Sequence, residues 1–181
     1  MMKYGMGSSS LLLSSAGVVF SLETQAENKT QVVSILGGKA TIELPVEFVR
    51  IPQEFHLEMY PDETNQPQES WYVETERGIV SIVFSVTENA TKEADVPGVV
   101  AIMKEELKAF SPSLLPLDIN GHKMVRLAFN IPDDDENEYL HHLTQVSSFH
   151  GKLMFVVFKV TSDLESQYKS AGEVALSSLK Y

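Results

Sequence analysis

Cysteine is absent from the 181 residues, which excludes disulfides, a thiol nucleophile and acylation at a lipoprotein-type processing site. Any stability of the folded part must therefore come from its core. Positive charge is scarce: 14 Lys and Arg face 25 Asp and Glu, a formal net charge of −11. That balance argues against nucleic acid and anionic membrane surfaces as partners, because both would be repelled. A G-x-S-x-G elbow is missing, and no two histidines stand four apart as a zinc-binding helix requires. Internal repeats and low-complexity linkers are also missing.

One apolar run is present, but it is short. Lys3, the stretch LLLSSAGVVFSL (Leu11 to Leu22) and Thr24-Gln25-Ala26 have the order of a cationic start, an apolar segment and a small-x-small cleavage motif. A membrane span needs about 20 apolar residues, and serines break this run. The pattern predicts an export signal at 1–26, cleavage after Ala26 and a soluble periplasmic chain without a lipid anchor. Removing residues 1–26 from 181 leaves 155, and the charge stays at −11 because Lys3 and Glu23 leave together. That length suits a single domain, 27–181, burying about 70% of its unfolded surface.

Past a polar lead to Gln31, alternation and glycine turns dominate. In KATIEL, Ala40, Ile42 and Leu44 share one face while Lys39, Thr41 and Glu43 share the other, so this segment reads as a half-buried strand. Val46 to Gln68 reads as irregular with one helical turn. Trp71-Tyr72-Val73 and Ile79 to Val86 read as a hairpin around Arg77-Gly78, its second strand apolar on both faces and hence internal. Val99, Val100, Met103, Leu107 and Phe110 recur at helical spacing, with Asp95 as the predicted cap and Pro97 in the first turn.

Four strands follow, Leu114 to Ile119, His122 to Asn130, Tyr139 to Phe149 and Leu153 to Thr161. Asn120-Gly121 and His150-Gly151 supply hairpin turns. Leu164 to Leu179 carries the stripe Leu164, Tyr168, Ala171, Ala175, Leu179, a helix with capping-box spacing at Ser162 and Glu165. KLMFVVFKV is apolar on both faces and is expected between layers. These elements make an α+β architecture, an antiparallel meander with packed helices.

Chemically dense residues concentrate in PDDDENEYLHH (Pro132 to His142). Counted as a calcium loop from Asp133, position six is Glu138 rather than glycine and position twelve is Thr144 rather than a bidentate Glu. His141 and His142 are adjacent on a strand, so they face opposite ways. The stretch reads as a solvated hairpin tip. His56 and His150 read as surface or turn histidines, and Glu105-Glu106 as a solvated pair. The residues nominate no catalytic, metal or cofactor site.

The order of elements resembles the DcrB family of bacterial envelope proteins, which have the PsbP-like fold. The resemblance rests on GGKATIELP (Gly37 to Pro45), on the Trp71 strand followed by Gly78 and an apolar strand, and on NGHKMVRL (Asn120 to Leu127). It implies a non-enzymatic envelope accessory protein, associated with phage uptake and envelope physiology, that binds a protein partner and needs no cofactor. A chaperone-like binder of apolar helices is the alternative, and a metal-assisted hydrolase is a third. The absent cysteine departs from the lipoprotein character of DcrB.

Overall fold

The computed structural model describes residues 29–62, 66–76, 79–133 and 138–181. The signal segment and the cleavage position after Ala26 lie outside them, as do Arg77-Gly78 and residues 134–137 of the acidic stretch. Among the described residues, nine strands and three α-helices follow in the order β1 (Thr30–Ile35), β2 (Ala40–Pro45), β3 (Phe48–Arg50), α1 (Gln53–Met59), β4 (Glu69–Val73), β5 (Ser81–Ala90), α2 (Val96–Glu106), β6 (Ser113–Ile119), β7 (His122–Pro132), β8 (Tyr139–Phe149), β9 (Lys152–Thr161) and α3 (Glu165–Ser177). The hairpin β1–β2 stands apart from a seven-stranded antiparallel sheet ordered β3-β4-β5-β9-β8-β7-β6.

The doubly apolar strands take internal places, because a strand with two apolar faces needs a layer on each side. β9 is the middle strand of seven and β5 is its neighbour. Met154, Val156, Phe158 and Val160 face a core built with Ile82, Phe84 and Leu143, closed by β2 (Ala40, Ile42, Leu44) and α3 (Tyr168, Ala175, Leu176). Across the sheet, α2 lays Val96 and Val100 on Leu127, Phe129, Val146 and Leu153. Past α3 the chain returns to β2, where Thr41 and Lys180 exchange both backbone hydrogen bonds (2.8 and 2.9 Å).

The turns follow their residue types. Asn120 and Gly121 have φ of 51° and 84°, and His150 and Gly151 have 48° and 78°, the conformation expected of tight hairpins. A Cβ at Gly121 would meet nothing within 4 Å, so the cost of Gly121→Val is one of backbone conformation alone. We expect a loss of about 1–3 kcal/mol, read from denaturant midpoints. An unchanged midpoint would contradict the left-handed turn.

Several local expectations are corrected. β1 begins at Thr30, inside the expected polar lead, because it pairs with β2 along its whole length. The stretch expected to be irregular holds β3, recruited by β4 through Phe48↔Val73 to Arg50↔Trp71, and a seven-residue α1. Asp95 makes no side-chain cap to α2; its carboxylate accepts the Lys92 N–H (3.2 Å) of the preceding 3-10 turn. The Ser162–Glu165 capping box does not form. Ser162 Oγ accepts the Tyr139 N–H (3.3 Å), and the Glu165 carboxylate accepts the Tyr139 hydroxyl (2.6 Å) and Lys169 Nζ (2.7 Å). Both side chains thus tie the helix start to β8. The helix ends at Ser177, two residues before Leu179.

Candidate functional site

Where the β1–β2 turn meets the sheet, a groove of about 520 Å³ opens, lined by Leu36, Gly37, Lys39, Arg50, Gln68, Glu69, Val86, Phe149, His150 and Lys152. Three elements far apart in sequence meet there: the turn after β1, the adjacent β3 and β4, and the β8–β9 hairpin beside the end of β5.

The turn sits in unusual backbone territory. Leu36, Gly37 and Gly38 have φ of 53°, 67° and 83°, three consecutive left-handed residues. Glycine adopts this freely, whereas leucine pays strain, so something must hold Leu36 there. That something is Glu69. Its carboxylate, almost wholly buried on β4, accepts the Leu36 N–H (2.8 Å) and Trp71 Nε1–H (2.8 Å) and lies 3.1 Å from Arg50 Nε. Three donors offset the cost of burying the charge, which a lone carboxylate could not sustain.

The groove's floor is fixed by two further devices. Gln68 mimics a strand beside β5: its side-chain Oε1 accepts the Val86 N–H (2.5 Å) and its Nε2 donates to the Val86 carbonyl (3.1 Å). The Phe149 ring packs edge-on to Tyr181 (5.0 Å), which stacks on His122 (4.2 Å) and donates its hydroxyl to the Ser148 carbonyl (3.0 Å). Lys39, Arg50 and Lys152 bring cations to the rim, with Lys152 2.6 Å from the exposed Glu88 carboxylate. In a chain with 25 acidic residues, Lys39, Arg50 and Lys152 against the single lining carboxylate of Glu69 leave this lining net positive.

Of the histidines and acidic residues weighed from sequence, His150 joins it, exposed at its turn with its ring against Phe149, and Gly37 and Lys39 of the GGKATIELP segment also line it. His56 is corrected from a surface position, since α1 buries it. His141 and His142 do face opposite sides. His141 Nδ1 is 2.6 Å from Asn130 Oδ1, while His142 stacks on Phe129 (5.0 Å, 14° between planes). The pairs Pro132↔Tyr139 and Asp133 N–H to the Glu138 carbonyl (3.0 Å) show the acidic stretch joining paired strands. Among the described residues, no group of three His, Asp or Glu side chains is arranged to hold a metal ion.

His142 has a readable titration. Burial, with help from Lys159 opposite it on β9 and from His141, pushes its imidazole down to about 4. Its folded value lies below the unfolded one of about 6.5, so the unfolded chain takes up a proton first as pH falls. The stabilisation is complete above about pH 6.5 and is lost toward pH 4, by about 1–3 kcal/mol. His142→Phe, which keeps the stacking, should melt with a smaller drop between pH 7 and pH 4 than the parent. Equal drops would remove this assignment.

A second buried polar set, missed in the sequence, lies under α3. Arg126 donates to Gln145 Oε1 (2.8 Å) and Ser177 Oγ (3.1 Å), and Gln145 Nε2 donates to the Leu176 carbonyl (2.9 Å). It locks β7 and β8 to the helix and opens onto no described groove.

No protein-family model matches the chain, and no curated protein matches it in sequence. Solved structures do. The cyanobacterial PsbP protein (CyanoP) of Synechocystis sp. PCC 6803 matches over 91% of this chain and 99% of its own, with 17% identity and a TM-score of 0.59. A Bacteroides thetaiotaomicron protein matches over 83% of this chain and 47% of its own, with 12% identity and a TM-score of 0.52. LpqN of Mycobacterium tuberculosis, involved in cell envelope biogenesis, is more distant at 11% identity and a TM-score of 0.46, over 87% of this chain and 86% of its own. The fold of this chain is PsbP-like, an α+β arrangement built on a mainly antiparallel sheet.

Proposed function

We propose that this chain is an exported, non-enzymatic accessory protein of the DcrB kind, working by binding in the bacterial envelope through the groove beside the β1–β2 turn. The observation that carries the reading is the groove itself: a strained turn clamped by a buried carboxylate, an apolar floor and a cationic rim on an acidic molecule. Strain of this kind persists only where surrounding contacts over-determine it, as the Glu69 clamp does for Leu36.

The chaperone-like alternative would call for an open apolar sheet face. The apolar residues of the central strands are buried under α3 and β2 on one side and α2 on the other, and open apolar side chains such as Leu114 and Leu115 lie on the edge strand β6. The hydrolase alternative would call for carboxylates around His142, whose neighbours are the Phe129 ring and Lys159.

Export is tested by intact mass after fractionation of cells expressing the full sequence. The expected result is a chain beginning at Glu27 in the soluble periplasmic fraction. An unprocessed chain in the cytoplasm would overturn this function.

A further inference from the structure

We infer that the groove takes a single-chain anionic amphiphile, a molecule with one phosphate or carboxylate head and one apolar tail; this rests on the binding reading above and names the ligand class. Charge is the first argument. Lys39, Arg50 and Lys152 converge from the β1–β2 turn, β3 and β9 on one opening, on a protein whose net charge of −11 would otherwise repel anions. Arg50 is held by Glu69 yet remains 60% exposed at its side chain, Lys152 is paired with the exposed Glu88, and Lys39 makes no ion pair with the described residues. Positive charge gathered against the general trend selects an anionic group.

Shape is the second argument. A volume of about 520 Å³ lies in the range of small-molecule sites. Of the lining residues, Phe149 is buried and Leu36 and Val86 are half-buried, whereas Lys39 and Arg50 are exposed and the Lys152 side chain is 45% exposed, so the cations stand outward of the apolar groups. A head group at the rim and a tail on the floor match that distribution, whereas a small inorganic anion would leave the floor unused.

Backbone pairing separates an amphiphile from an acidic peptide. An extended peptide gains affinity by pairing its backbone with a free strand edge. Beside Val86 both the N–H and the carbonyl are already taken by the Gln68 side chain, so the floor offers no ladder there. An amphiphile's tail needs none.

The test is calorimetric titration of the exported chain with hexyl, octyl and decyl phosphate below their micelle concentrations. Inorganic phosphate, decyltrimethylammonium and an alkyl maltoside serve as comparisons. Affinity should rise about tenfold for each two methylenes added, which corresponds to burial of the tail, and should weaken with salt. Lys39→Gln combined with Lys152→Gln should weaken decyl phosphate about tenfold while leaving the melting temperature nearly unchanged. Ile102→Glu, on an exposed part of α2, should have no effect.

Inorganic phosphate binding as tightly as decyl phosphate would overturn the inference, as would equal binding of the cationic or neutral amphiphiles. No binding of any probe would also overturn it. If a crosslinker placed in the groove then captured a protein in cells, the binding reading would survive without this ligand class.

Discussion

Glu69→Ala is expected to destabilise the protein by about 2–4 kcal/mol, mainly through the two donors it leaves without an acceptor, since the exposed Arg50 is rescued by water. The substitution leaves the Leu36 N–H and Trp71 Nε1–H without their acceptor and separates Arg50 from its counter-charge. The three consecutive left-handed residues lose the anchor that holds Leu36 in place. Glu69→Gln keeps one acceptor oxygen but turns an amide toward donors, so it should fall between the parent and the alanine variant at about 1–3 kcal/mol. Denaturant unfolding of the three proteins checks the order. If Ala and Gln cost the same small amount, the carboxylate is not the clamp described here.

Gly172→Val should be comparably damaging for a steric reason. Gly172 lies on the buried face of α3, and a Cβ there would stand 2.5–2.7 Å from Cδ1, Cε1 and Cγ of Phe158, a ring sealed in the core on the middle strand. Helix or ring must move, and overpacking of this kind costs about 1–3 kcal/mol for one methyl and more for a branched side chain. Gly172→Ala is informative because helix propensity alone predicts a gain of about 1 kcal/mol. Thermal unfolding should show a loss for Ala and a larger one for Val. A stabilised alanine variant would mean that α3 sits farther from β9 than described.

The contrast between these two positions explains what could be read in the sequence. The four strands from β6 to β9 fall within a few residues of their expected bounds, because local alternation and the pairs Asn120-Gly121 and His150-Gly151 encode them without help from distant segments. The double apolar faces of β9 likewise announce its internal place. β3 carries no such pattern, since three residues become a strand only because β4 is there to pair with them.

The groove was illegible for the same reason. Glu69 is an ordinary acidic residue in a local reading, and its meaning comes from Leu36, 33 positions earlier, and from Trp71 on its own strand. Ser162 and Glu165 show the reverse case, in which cap spacing was present but Tyr139 outcompeted the helix backbone for both side chains. Gly172, the glycine within α3, lies off the apolar stripe read from the sequence. Only the position of Phe158 makes it a packing constraint.

The central claim is that the groove beside the β1–β2 turn is the surface through which this protein binds. Photocrosslinking in intact cells addresses it most directly, with a photoreactive amino acid replacing Lys39 at the groove or Ile102 on α2 in otherwise unchanged full-length protein. The account predicts a discrete crosslinked species, protein or amphiphile by mass, from position 39 and none from position 102. That species should diminish when Lys152→Glu is added. Equal, diffuse labelling from both positions, or capture from position 102 alone, would contradict it.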